Sequence, residues 1–135
     1  IPQRIKAVLT TWYAGFDRDS PATQEDLKRW FKASADFDQE IIDKHTLDLD
    51  EVAADEGESW SQYEDGRMAV LLLVDQMSRM IYRRSQRAYE YDNIGYKLAN
   101  EFVETGDWDK AKFMDKHFIL LPFEHQENES CIERC

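Results

Sequence analysis

Apolar residues recur every three or four positions along almost the whole chain, and no segment keeps the two-residue alternation of a half-buried strand. Ile5, Val8, Leu9 and Trp12 share one face of a short helix from Gln3 to about Tyr13, and a loop follows from Gly15 to Ser20. Ser20 reads as the N-cap of a second helix with Pro21 as its first residue and Glu25 and Asp26 near its positive end. Leu27, Trp30 and Phe31 would form its inner face. Asp36 with Gln39 reads as a capping pair opening a third helix. Along it Phe37, Ile41, His45, Leu49 and Val52 keep the helical spacing until Gly57. Trp60 falls in the next connection, where a large ring can plug a gap between helices.

The segment from about Glu64 to Arg83 differs from the others. Its run from Met68 to Val74 is apolar on every side, which predicts a central helix buried all round. Asp92 then reads as the cap of a fifth helix, with Ile94, Leu98, Phe102 and Val103 inside and Gly106 at its end. Asp107 or Asp109 opens a sixth, carrying Phe113, Met114, His117, Phe118 and Leu121, which Pro122 breaks or kinks. A seventh starts near Glu124 and runs to Cys135. Only 5 Gly and 3 Pro are available for turns, so short loops should join six to seven antiparallel helices. The fold class predicted is all-α, an array or bundle with no sheet. No clean repeat appears at the period of about 34 residues that marks regular helical-pair arrays.

Composition narrows the function classes. At 135 residues, 42% of them apolar, the chain is large enough for one core and reads as a single domain over 1–135. Asp and Glu outnumber Lys and Arg by 28 to 17, a net charge of −11 that repels nucleic-acid backbones and anionic membranes. No apolar stretch approaches the roughly 20 residues of a membrane-spanning helix, and residues 1–30 carry no signal-peptide core. The chain starts at Ile1, which leaves room for an earlier targeting segment. Cys131 and Cys135, spaced i, i+4, suit buried or free thiols in a reducing, cytoplasmic setting better than a disulfide. Nothing in the sequence specifies an oligomeric state.

Three groups of residues could carry chemistry. Asp75, Gln76 and Arg79 follow directly on the all-apolar run, and charges on a buried helix are costly unless paired or facing a cavity. An Asp75–Arg79 pair at i, i+4 would lock helices together, or the same residues would floor a polar pocket. Arg79, Arg83, Arg84 and Arg87 form a basic island in an acidic chain, suited to a carboxylate or phosphate if they converge. Otherwise they neutralise neighbouring acidic helices. Glu124 and His125 place a carboxylate beside an imidazole, which suits acid–base work or a hydrogen-bonded structural histidine. His45 and His117 lie on apolar stripes and read as core histidines. No metal spacing, phosphate loop or nucleophile elbow is present, so neither a metal nor a cofactor is expected.

Three blocks carry a family resemblance. They are Trp30-Phe31 with Phe37-Asp38-Gln39-Glu40-Ile41, then Gly66-Arg67-Met68-Ala69 with the stretch from Asp75 to Arg83, and Leu121-Pro122-Phe123-Glu124-His125. In this order, with Val8-Leu9 and Trp12-Tyr13 near the start, the chain resembles the family called domain of unknown function nine hundred and twenty-four. Met77, Ser78 and Met80 stand where that family tends to show Phe, Pro and Asn. The resemblance implies a tetratricopeptide-like helical fold, with no established activity attached. By that resemblance the family's recurrent polar residues fall here on Arg67, Asp75, Gln76, Arg79, Arg87, Asp92, Glu124 and His125. It also implies further helices beyond the C-terminal end of this chain.

Three functions follow, in order of preference. The first is a binding module for a small anion or an acidic peptide, at a pocket drawn from Arg67, Asp75, Gln76, Arg79, Arg83, Arg87, Glu124 and His125. The second is a scaffold whose polar cluster is architectural. The third is a hydrolase-type enzyme using Glu124, His125 and Asp75.

Overall fold

The computed structural model describes residues 1–14, 17–31, 35–83 and 85–134, without the side chains of Arg29, Phe31 and residues 127–134. Expectations that rest on Gly15, on the packing of Phe31, on Arg84 and on the two cysteine side chains therefore lie outside the described residues. Eight α-helical segments are described: α1 (Pro2–Tyr13), α2 (Gln24–Phe31), α3 (Ala35–Ala54), α4 (Glu58–Ser61), α5 (Gly66–Leu71), α6 (Ser78–Ile81), α7 (Asp92–Glu104) and α8 (Phe113–Arg134). A π-helical turn over Leu72–Met77 joins α5 to α6, and 3₁₀ turns cover Gln86–Tyr89 and Asp107–Lys110. No strand occurs among the described residues, so the fold is all-α.

The rod made by α5, the π turn and α6 is the centre of the molecule. Every residue from Met68 to Ser78 is buried, because α1, α3, α4 and α7 pack around it. That accounts for the absence of a polar face in the run from Met68 to Val74. Two close approaches hold the rod in place. Gly57, at φ 78° after α3, lies against Val70, where an added Cβ would come within 2.4 Å of Cγ1. Gly66 starts α5 so near the Trp60 carbonyl that a Cβ there would sit 1.7 Å from its oxygen. Beside the rod, Trp12, Trp30 and Phe118 join α1, α2 and α8 through ring contacts of 5.2–5.9 Å, and Trp30 Nε1 donates to the Trp12 carbonyl at 2.7 Å.

Several local expectations fail because tertiary contacts outrank local preference. Thr23, not Ser20, opens α2: its Oγ1 accepts from the Asp26 amide while Asp26 Oδ2 accepts from the Thr23 amide. Ser20 instead donates to Asp17, and Pro21 precedes the helix. Leu27 is exposed. Asp36 lies in the first turn of α3, and Gln39 reaches forward to Asp43 rather than back to a cap. Asp92 is the first residue of α7 and turns its carboxylate away to Arg79. Val103 and Phe113 are exposed, and so is His117, whose ring packs edge-on to Phe118; only His45 is a core histidine.

Pro122 neither ends a helix nor starts one, since α8 runs through it to Arg134. Proline removes one backbone bond, and the burial of its ring offsets part of that loss.

Candidate functional site

The π turn sets the geometry of the polar cluster. Its i→i+5 winding widens the helix by part of a residue, and such turns are frequent at functional sites. It also breaks the register that would place Arg79 over Asp75, and no ion pair forms between them. Asp75, with a side chain only 1% exposed, accepts from Gln76 Nε2 at 2.8 Å and meets His125 Nδ1 at 3.1 Å. Gly95 of α7 faces Asp75, and a Cβ added there would stand 3.4 Å from Asp75 Cβ and Oδ1, an ordinary van der Waals contact. Arg79 reaches sideways. Its Nη2 lies 3.3 Å from each oxygen of Asp92 and 2.9 Å from His125 Nδ1, and Nη1 reaches the Ala88 carbonyl at 3.4 Å. The guanidinium stacks 4.8 Å over Tyr89.

His125 Nδ1 faces both a donor and an acceptor, and one nitrogen cannot serve both. A proton on Nδ1 satisfies Asp75, a buried carboxylate oxygen that would otherwise confront a second lone pair. Nε2 is then directed away from Asp75 and has no partner among the described residues. Asp92 is pushed above the usual carboxylate range, first by burial and then by the Asp75 charge, against the pull of Arg79 and His125. Its Oδ1 is buried without a hydrogen bond. With a neutral imidazole the cluster sums to −1 (Asp75, Asp92 and Arg79); a protonated one brings it to zero.

Asp75, Asp92 and His125 bring one ligand atom each within 4.8 Å of one another, a spacing that a metal ion can use. Arg79 Nη2 touches two of the three, so a cation of the protein's own already serves this group.

The other anticipated residues lie elsewhere. Arg83 forks onto Asp38 of α3 at 2.6 and 2.9 Å. Arg87 is exposed, pairs with Glu90 at 3.2 Å and covers Tyr82. Arg67 sits eight residues before Asp75, roughly 12 Å along the rod, and binds Asp107 at 2.8 Å. Glu124 is exposed, with no partner among the described residues, so it does not form a pair with His125. Of the anticipated arginines, only Arg79 belongs to the cluster. Among its described members, Arg79 and Arg83 part because they meet carboxylates of different helices, Asp92 of α7 and Asp38 of α3, while Arg87 pairs locally with Glu90.

Two polar networks were not anticipated as such, although His45 itself reads as a core histidine. Asp115 of α8 accepts from Tyr13 Oη at 2.6 Å and is gripped by the Arg18 guanidinium, which also reaches Asp65 at 3.2 Å. Burial and the Asp115 charge push Tyr13 far up. His45, inside α3, bridges Asp48 at 3.0 Å and Thr11 at 2.8 Å, with Arg4 on the far side of Asp48. Burial opposes the Asp48 charge, but the bonds from His45 and Arg4 outweigh it and hold that carboxyl below its usual range.

These features define an all-α domain whose central buried helix presents a carboxylate–imidazole–guanidinium cluster at the edge of α7 and α8. The chain belongs to the family described as "Bacterial protein of unknown function (DUF924)", whose pattern matches residues 8–135. Comparison with curated proteins finds no match, and comparison with solved structures finds none. No helix among the described residues is long and apolar enough to cross a membrane.

Proposed function

We propose that the domain is a binding module for a small anion, with Arg79 and His125 as its recognition pair. The observation that carries this reading is the incomplete pairing of Arg79. Its side chain is 24% exposed, and its contacts to oxygen fall at 3.3–3.4 Å. Charge-assisted bonds usually close to about 2.7–2.9 Å. Its Nε has no acceptor among the described residues, and the Tyr89 ring holds the guanidinium plane. An incoming carboxylate or phosphate oxygen can accept from these donors and from a proton on His125 Nε2.

The local charge sets a condition. At −1 the cluster repels an anion; protonated at His125 it does not. Anion binding is therefore linked to the charge that the cluster carries. The test is a thermal-shift titration with inorganic phosphate and citrate at low salt. Stabilisation that grows with added anion and is lost in Arg79→Ala and His125→Gln supports the reading. Equal behaviour of both variants and the parent moves it to the scaffold, which the separate pairing of Arg67, Arg83 and Arg87 favours.

One observation keeps a second reading open. The buried Asp75 orients an imidazole whose other nitrogen has no partner, the arrangement of a general base. A hydrolytic role would rest on His125 and Asp75 alone, because Glu124 stands apart. The packing of α7 along α8 supports a tetratricopeptide-like arrangement, and the continuous core supports one domain over 1–135. A cytoplasmic setting fits the two i, i+4 cysteines.

A further inference from the structure

A second polar centre lies at the other end of the rod. The start of α5, the end of α7 and the segment 107–112 enclose a cleft of about 430 Å³, within the range of small-molecule sites. Met68 and Phe102 give it an apolar wall, and Arg67, Lys110 and Lys112 bring three cations to it. We propose that this cleft is an oxyanion site, separate from the Asp75–His125 cluster, that takes the carboxylate or phosphate of a small molecule at Arg67 and the two lysines.

Arg67 is the anchor. Its guanidinium stacks 5.2 Å over the Phe102 ring, which fixes its plane. Nη1 donates to Asp107 at 2.8 Å, while Nη2 has no acceptor among the described residues. Nε is buried and also without a hydrogen bond; the nearest carboxylate, Glu101, stands at 3.6 Å. With Nη1 on Asp107 and the buried Nε facing Glu101, the Nη2 donors of a guanidinium held flat remain to meet a planar or tetrahedral oxyanion. Neither lysine makes an ion pair among the described residues.

The acidic residues of the cleft do not cancel this. Asp65 and Asp115 are engaged by Arg18, and Asp107 by Arg67 itself. Glu64 is the only lining carboxylate without a partner. The lining carries three cations, Arg67, Lys110 and Lys112, and four carboxylates, and Arg18 and Glu101 beside it add one of each sign, so the cleft sums to −1 in a chain of −11; its unused cationic donors are on Arg67 and the two lysines. Glu101 is the competitor, because it holds a charge near Nε that an incoming anion must tolerate.

The experiment is calorimetric titration at low salt with two probes, inorganic phosphate and succinate, which separate a phosphate from a carboxylate preference. Lys110→Ala/Lys112→Ala removes exposed side chains and should leave folding intact. It should weaken binding roughly tenfold, the scale of a lost charge-assisted bond. Arg67→Ala should abolish binding, and Glu101→Gln should tighten it by removing a competing charge. Arg79→Ala and His125→Gln should leave this binding unchanged, which separates this site from the cluster proposed above. Absence of binding of either probe to the parent overturns the proposal. So does an unchanged affinity in the lysine variant, or a loss confined to Arg79→Ala and His125→Gln.

Discussion

Asp75 and Asp115 are both carboxylates buried on helices, yet the molecule treats them differently. Asp115 is saturated: a tyrosine hydroxyl and a two-pronged arginine close on it, and the same arginine continues to Asp65. Three elements are tied by one guanidinium. Asp75 instead receives an amide and a titratable imidazole, while the arginine four residues on spends its contacts on Asp92 at longer range. The first arrangement stabilises the fold. The second leaves donors, a free imidazole nitrogen and a net charge that depends on a proton. Buried charge alone does not mark a site; incomplete satisfaction of that charge does.

Removing the arginine of the saturated group should have the largest effect. Arg18→Ala strands Asp115 and unties Asp65, so chemical denaturation should show a loss of about 3–5 kcal/mol. A loss under about 1 kcal/mol, the value of an exposed pair, would erase the contrast. Asp75→Asn is milder, since Gln76 and His125 can rebond to an amide, and should cost about 1–3 kcal/mol. Combined with His125→Gln it should cost clearly less than the sum of the single changes, because each removes the same contact. Additivity would mean that the Asp75–His125 contact does no work.

Arg79→Ala sharpens the comparison from the other side. It should change stability by only about 1 kcal/mol, while leaving Asp75, Asp92 and His125 without their cation. The variant should then bind Co²⁺ or Zn²⁺ more tightly than the parent, read by cobalt absorption or by calorimetry. Equal affinity would show that Arg79 does not act as a resident cation. The smallest effect belongs to alkaline pH. Tyr13 titrates higher in the fold than its ordinary 10.0, so its contribution is full below that value and is lost as pH rises above it. Tyr13→Phe should flatten the alkaline fall in stability. The corresponding acid-side term is Asp48, depressed in the fold, whose contribution is present above the usual carboxylate range and lost as pH falls through it.

Much of this was legible in the chain, for physical reasons that can be named. Periodicity located α1, α3 and α7 because each buries one stripe, and the all-round apolar run gave the central rod because nothing polar could survive there. The run from Met68 to Val74 ending on Asp75 was a sound signal for the cluster. It could not reveal the π turn, since widening a helix depends on what packs around it. Asp115 gave little signal, as one acid beside Met114 reads like any helix surface. The arginine island misled, because adjacency in sequence says nothing about which helix supplies each counter-ion.

The sequence by itself determined an all-α fold, the identity of its buried helix and the fact that a polar group must be housed at that helix's end. Only the tertiary structure decided that Arg79 turns to Asp92, that His125 arrives from 50 residues away to meet Asp75, and that Arg67 belongs to a different cleft. Helical periodicity is a local property, fixed by burial along one segment. Charge pairing depends on which segments meet, and that is settled only when the helices pack.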